Sequence, residues 1–231
     1  QSALNSNCPG ITEIWVAAGT YKPTTGTDRN ISFVMKNGVA IYGGFPNTGD
    51  PAFADRNWTT NVTTLSGDIG ATGDSDNSYT VVFAGTGLNA TALIDGFTVT
   101  GAAGGTYAGG IHADNSSPTI SNCLITGNSS TVFGGGLVCG NSSPIVTGCT
   151  FSNNTSNAGG GMANGFGGSP IVTNCLFINN TALYFAGGGG LFSQNTSMTL
   201  TNCTFSGNSP ESIHCNVAIN ISNCVVWGNA L

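Results

Sequence analysis

From residue 108 to residue 229 the chain writes one phrase five times. Each copy opens on glycines, as in Gly134-Gly135-Gly136-Leu137 and Gly159-Gly160-Gly161-Met162. The last copy, which contains Ile213, lacks them. A polar corner such as Asn115-Ser116-Ser117-Pro118 follows, then an apolar-alternating run into Cys123, Cys149, Cys175, Cys203 or Cys224. The cysteines stand 26, 26, 28 and 21 residues apart. Within each period the apolar residues alternate in short period-2 pieces separated by turn residues, and no stripe of period 3.6 runs long enough for a helix. Three short strands per period, coiled about one axis, make an all-β parallel solenoid. A single coil cannot bury its apolar face, so the coils must stack, with strands about 4.8 Å apart.

One position tests the stacking. The residue before the cysteine is Asn122, Asn174, Asn202 or Asn223, but Gly148 in the second copy. Asn and Gly share tolerance of the left-handed region, so the site is expected to be a one-residue kink, with the Asn amides bonding along the axis as a ladder. Gly96 reads as the same corner one coil earlier. Alternation then sends Cys123, Cys149, Cys175, Cys203 and Cys224 inward as a column. Val99, Ile125, Phe151, Phe177, Phe205 and Val226 form a second column, and Ile111, Leu137, Met162, Leu191 and Ile213 a third.

Residues 1–231 read as a single domain of about eight to nine coils, with less regular coils over 1–107 and regular repeats over 108–229. Ile14 to Tyr21 predicts strand, turn, strand; Ile31 to Met35 and Val39 to Tyr42 predict two more strands. Residues 43–77 read as an excursion from the wall that returns at Thr63-Thr64-Leu65-Ser66-Gly67. Tyr79 to Ala84 and Ala92 to Thr100 complete the irregular part.

The surface of such a rod is unusual. Only 6% of residues are charged, against an ordinary ~25%. The net charge is -6, and the four basic residues (Lys22, Arg29, Lys36, Arg56) all precede the repeats. The repeats therefore offer nothing to neutralise phosphate, which argues against nucleic acid and anionic membrane as partners. No apolar run is long enough to insert in a bilayer. A low-charge, Asn- and Thr-rich solenoid without an initiating Met is expected to be a processed or trimmed extracellular or cell-surface protein. Of eight cysteines, five belong to the inward column, where adjacent coils approach the ~4.4–6.8 Å Cα range of a disulfide. Cys139 and Cys215 share a strand position three coils apart. Cys8 reads as a terminal staple.

Ile14-Trp15-Val16-Ala17-Ala18-Gly19-Thr20-Tyr21 resembles the opening of bacterial secreted right-handed parallel β-helix proteins. Gly38-Val39-Ala40-Ile41-Tyr42-Gly43-Gly44-Phe45, Arg56-Asn57-Trp58, Leu65-Ser66-Gly67-Asp68 and Leu93-Ile94-Asp95-Gly96-Phe97 belong to the same pattern. The Gly-Gly-x and Phe-x-x-Asn beats are similar to repeats of polymorphic outer-membrane and surface proteins. The resemblance implies a right-handed coil and a role as adhesin, passenger domain or structural module, here without the usual C-terminal anchor.

The same fold hosts pectate lyases and polysaccharide hydrolases, so chemistry must be sought in residues. The acids of the repeats, Asp95, Asp114 and Glu211, fall in different coils, where glycoside hydrolysis needs two within about 5–9.5 Å. His112 and His214 stand four coils apart. The one acidic cluster is Asp68, Asp74 and Asp76 with Asn77; its oxygens suit calcium, but the turns of a surface loop are the preferred reading. Asn-x-Ser/Thr sequons occur at Asn30, Asn57, Asn61, Asn89, Asn115, Asn128, Asn141, Asn153, Asn154, Asn179, Asn195, Asn202 and Asn220; Asn202, in the ladder, has no room for a sugar on this reading. Tyr107, Phe133, Phe166, Tyr184, Phe185 and Trp227 lie near corners as sugar platforms or local packing. The leading expectation is a non-enzymatic structural module that stacks head-to-tail into a filament or continues into neighbouring repeats. A glycan-binding adhesin is the alternative, with a polysaccharide lyase or hydrolase behind it.

Overall fold

The structure, a computed structural model, describes residues 10–229 except 72, 108, 166, 185 and 186. Three parallel sheets run side by side along one axis, two of eight strands and one of seven. The first runs from Glu13–Ala17 through Leu93–Asp95 and Ile145–Thr147 to Asn220–Ser222; the second runs from Gly19–Tyr21 to Val225–Trp227. The third runs from Phe33–Val34 to Ile213–Cys215. Each strand pairs with the strand one coil away, so the chain is a parallel right-handed β-helix of about eight turns. No helix among the described residues is long and apolar enough to cross a membrane.

The columns read from the repeat are present. Cys123, Cys149, Cys175 and Cys203 are buried, as are Val99, Ile125, Phe151, Phe177 and Phe205, and Ile111, Leu137, Met162 and Leu191. Phe151, Phe177 and Phe205 stack with centroids 4.7 and 4.6 Å apart and planes within 5° and 4°. That separation is the strand spacing itself, so in-register rings reach offset stacking without moving. Val226 holds the next position of this column but is 52% exposed, because no described strand lies over it.

The kink is where the Asn/Gly exchange places it. Asn122, Gly148, Asn174, Asn202 and Asn223 have φ of 50, 63, 55, 54 and 51°, and Gly96 has 75°. The amide ladder there is partial. Asn202 Nδ2 donates to Asn174 Oδ1 at 3.1 Å, Gly148 interrupts the row, and Asn122 Nδ2 turns to Asp95 Oδ2 at 2.8 Å. Asn202 also stands on the exposed side, which corrects its expected enclosure.

The continuous ladder lies at the next corner. Asn128, Asn154, Asn180 and Asn208 are buried and lead to Asn229. Each carboxamide donates to the next Oδ1, at 3.1, 3.0, 3.0 and 3.3 Å. Each also donates to a carbonyl of the preceding coil, as Asn154 does to Ile125 O at 2.9 Å. A buried carboxamide stays only if its donors and acceptor are satisfied, and the coil repeat satisfies them. The glycine pairs belong to the same corner. A Cβ on Gly161 would stand 2.5 Å from Gly190 O and 3.0 Å from the Phe177 ring, so the bare backbone is what lets coils close over the ladder.

The excursion is fastened rather than loose. Its single helical turn, Phe53–Asp55, precedes Arg56, whose guanidinium is buried against Asp95 in an ion pair. Arg56 Nε also donates to Gly43 O at 2.6 Å, and the group lies 4.7 Å from the Trp58 ring centroid. The strand expected over Tyr79 to Ala84 is shorter, Val82–Ala84, while Ala40–Phe45 runs further than expected. Gly105–Tyr107 with Ser130–Phe133, and Thr155–Ser156 with Thr181–Ala182, add two small pairings that the alternation did not reveal.

Candidate functional site

The outward face of the third sheet carries a row in register: His112, Val138, Ala163, Phe192 and His214. Phe133, at the end of Ser130–Phe133, and Tyr184, in the bend after Thr181–Ala182, stand at its rim. The result is a groove of about 340 Å³ lined by Val132, Phe133, Tyr184, Phe192, Gln194 and His214. A continuous aromatic stack runs along it. Tyr107 and Phe133 lie 6.2 Å apart with planes at 10°, Phe133 and Phe192 5.7 Å at 28°, and Phe192 and His214 5.7 Å at 6°. His214 Nδ1 sits 2.8 Å from Glu211 Oε1, which fixes the imidazole plane. Tyr184 is 62% exposed above the groove. The arrangement offers flat apolar surface with a carboxamide and an imidazole at its edge, the means by which proteins hold ring-shaped polyhydroxy ligands.

Of the expected aromatic platforms, Phe133 and Tyr184 line this groove, and Tyr107 stacks on Phe133 beyond it. Trp227 stands apart on the terminal strand of the second sheet, 65% exposed. Phe166 and Phe185 lie outside the described residues. Phe192 and the His214–Glu211 pair were not read as a site. The usable signal was Glu211 three residues before an outward histidine.

The acidic loop does not assemble as expected. Asp68 pairs with Lys22 at 3.5 Å, Asp76 Oδ2 accepts from Ala71 N at 2.6 Å, and Asp74 Oδ1 faces Asn77 Nδ2 at 3.4 Å. Among the described residues no three His, Cys, Asp or Glu side chains converge as a metal group. These carboxylates serve separate turns and one ion pair, which corrects the calcium expectation. The acids of the repeats are also dispersed: Asp95 is engaged by Arg56, Asp114 Oδ1 accepts from Asn115 Nδ2 at 2.9 Å, and Glu211 meets His214. His112 is separated from His214 by four rungs. Burial holds its imidazole below the ordinary value, with Asp114 opposing.

Among the sequons, Asn30, Asn57, Asn89, Asn115, Asn141, Asn153, Asn179, Asn195 and Asn220 are exposed, and Asn61 is half-buried. Asn128 and Asn154 are buried in the ladder with their amide nitrogens committed, so neither presents a glycan site, a correction to the sequence reading. The cysteines from Cys123 to Cys224 are free thiols in the described structure; Cys8 lies outside the described residues. Cys139 and Cys215 are three rungs apart in one row.

Fold and surface define a repeat-built parallel β-solenoid with an aromatic outer groove. The family model for the right-handed β-helix region matches residues 79–230, two thirds of the chain, and the protein belongs to that family. No curated protein and no solved structure matches it significantly.

Proposed function

We propose that this protein is a non-enzymatic structural module of an extracellular or cell-surface assembly, extended end to end by strand pairing. The observation that carries the reading is the chemistry of the two ends. On the last coil Ile221, Val225, Val226 and Trp227 are 50, 53, 52 and 65% exposed. At the other end Ile14, Val16, Phe33, Met35, Leu65 and Ile94 line an apolar mouth of about 570 Å³. All three sheets run parallel from one end to the other, so a second copy placed head-to-tail continues each in the same sense. The exposed sequons other than Asn220, which opens a strand of the last coil, lie in turns outside the strands, where glycans leave strand pairing at the ends free.

Sedimentation velocity over a concentration series tests this, with negative-stain images of the same samples. Rods that lengthen with concentration, and that Val226→Lys returns to single particles, are expected. Short monodisperse particles at every concentration overturn the self-stacking reading and leave further coils of a longer chain as the cover.

The groove favours a second reading, glycan binding. The aromatic stack and the His214–Glu211 pair support it. A glycan array is the test: hits that Tyr184→Ala and Phe192→Ala weaken together support the reading, and an empty array ends it.

A further inference from the structure

The interior cysteines form a row more regular than a core filler requires. Thr150, Leu176, Thr204 and Val225 each follow a column cysteine, and their backbone N–H groups donate to Cys123 O, Cys149 O, Cys175 O and Cys203 O, all at 2.9 Å. The five thiols therefore stand in register, one per coil, at the strand spacing of about 4.8 Å. Their polar contacts repeat from coil to coil and are to backbone only. Each thiol lies 3.1–3.4 Å from the carbonyl two residues before it, from Ser121 O at Cys123 to Ser222 O at Cys224, and Cys149, Cys175 and Cys203 lie 3.6–3.8 Å from a carbonyl of the preceding coil. Cys123, Cys149, Cys175 and Cys203 are 1–3% exposed, while Cys224 at the end of the row is half-buried.

We propose that this column is a binding site for soft, two-coordinate d10 cations of the Cu(I), Ag(I) and Hg(II) class, each ion held between sulfurs of adjacent coils. Geometry selects the class. A tetrahedral ion such as zinc needs three or four ligands converging on one point, and a straight row cannot supply them. A linear ion needs only two sulfurs facing along a line. With metal–sulfur bonds of about 2.3 Å the pair spans about 4.6 Å, close to the rung spacing. Thiolate softness favours the same ions, and the dry surroundings shield them from water and from hard anions.

Charge selects the filling. One divalent ion gives M²⁺ + 2 RSH → M(SR)₂ + 2 H⁺, a neutral product suited to an apolar core. One monovalent ion gives M⁺ + 2 RSH → [M(SR)₂]⁻ + 2 H⁺ and buries a net charge. Filling the whole row, 4 M⁺ + 5 RSH → [M₄(SR)₅]⁻ + 5 H⁺, spreads that single charge over five sulfurs. Burial of a lone charge is costly, so monovalent loading is expected to be cooperative. Cys139 and Cys215 face no cysteine on the next rung and are outside the site.

The experiment is an anaerobic Ag(I) titration of the reduced, full-length chain carrying Cys8→Ser, Cys139→Ser and Cys215→Ser. It is followed by native mass spectrometry and by ultraviolet thiolate-to-metal absorbance. Far-UV circular dichroism confirms the fold of each variant. Four ions per chain, with loss of five protons and little population of intermediate loading, is the expected result. Adding Cys175→Ser, or Cys175→Ala where serine disturbs the core, leaves the pairs Cys123–Cys149 and Cys203–Cys224, and loading is expected to fall from four ions to two. Five ions bound independently, unchanged loading after the Cys175 substitution, or uptake only after unfolding in guanidinium each overturns the proposal.

Discussion

The side chain of Asn154 donates to Asn180 Oδ1 at 3.0 Å, and its backbone N–H donates to the same oxygen at 3.1 Å. The Asn154 carboxamide bonds the coils on both sides of its own, donating to Asn180 on one and to Ile125 O on the other. Asn154 Oδ1 receives the equivalent pair from Asn128, both at 3.1 Å.

Replacing Asn154 with alanine removes the acceptor of Asn128 N and Nδ2 and the side-chain donor to Ile125 O, while Asn180 Oδ1 keeps the backbone N–H. A loss of about 3 kcal/mol is expected, read as a lower urea midpoint, since each orphaned buried group costs roughly 1–3 kcal/mol. Asn153, next to it, is exposed and needed for its φ of 54°. Asn153→Gly is expected to change stability by under ~0.5 kcal/mol. Equal effects at the two positions contradict the assignment of roles.

Gly161→Ala tests close approach. The added methyl meets Gly190 O, a backbone atom that cannot swing away. Destabilisation on the order of 1–3 kcal/mol or more is expected from overpacking. A neutral change in thermal melting would show that the coils have slack.

Arg56 tests the fastening of the excursion. Arg56→Met strands the Asp95 carboxylate, whose side chain is 10% exposed, beside Ser121 and Asn122. Breaking one partner of a buried pair costs roughly 3–5 kcal/mol. Limited proteolysis is expected to cut first within residues 46–62. A protease pattern identical to that of the parent chain counts against the clamp.

His112 gives a pH dependence. Burial lowers its pKa from 6.5, so below that value the unfolded chain binds a proton that the folded chain resists. Stability from this group is complete above pH 6.5 and is lost as pH falls toward the depressed folded value. The groups facing it are the Phe83 ring, its centroid 5.5 Å from that of the imidazole, and Asp114 on its own strand. His112→Phe is expected to flatten the acid limb of a stability–pH curve. An unchanged limb assigns that loss to other groups.

The sequence announced the coil, the columns and the kink because each leaves a periodic trace. Asn122 and Gly148 exchange at one position because φ alone matters there. The main ladder left an equally clear trace that was read as something else. Asn128, Asn154, Asn180, Asn208 and Asn229 stand three residues after Ile125, Phe151, Phe177, Phe205 and Val226, with no glycine among them. An Asn that never exchanges for Gly is needed for its carboxamide; at Asn128 and Asn154 the overlapping sequons hid this. Arg56 and Asp95 were not linked because they lie 39 residues apart, across an aperiodic segment. The groove escaped for a similar reason. Phe133 ends one short outer strand and Tyr184 lies in the bend after another, so no period pointed at Phe192 beside them.

The claim on which the rest depends is that successive coils lie in register, and trans-hydrogen-bond scalar couplings read that register directly. In a deuterated, ¹⁵N,¹³C-labelled sample, the amide of Leu176 is expected to couple to the carbonyl of Cys149, and that of Thr150 to the carbonyl of Cys123. Couplings from these amides to other carbonyls, or amides that exchange freely with solvent, would contradict it.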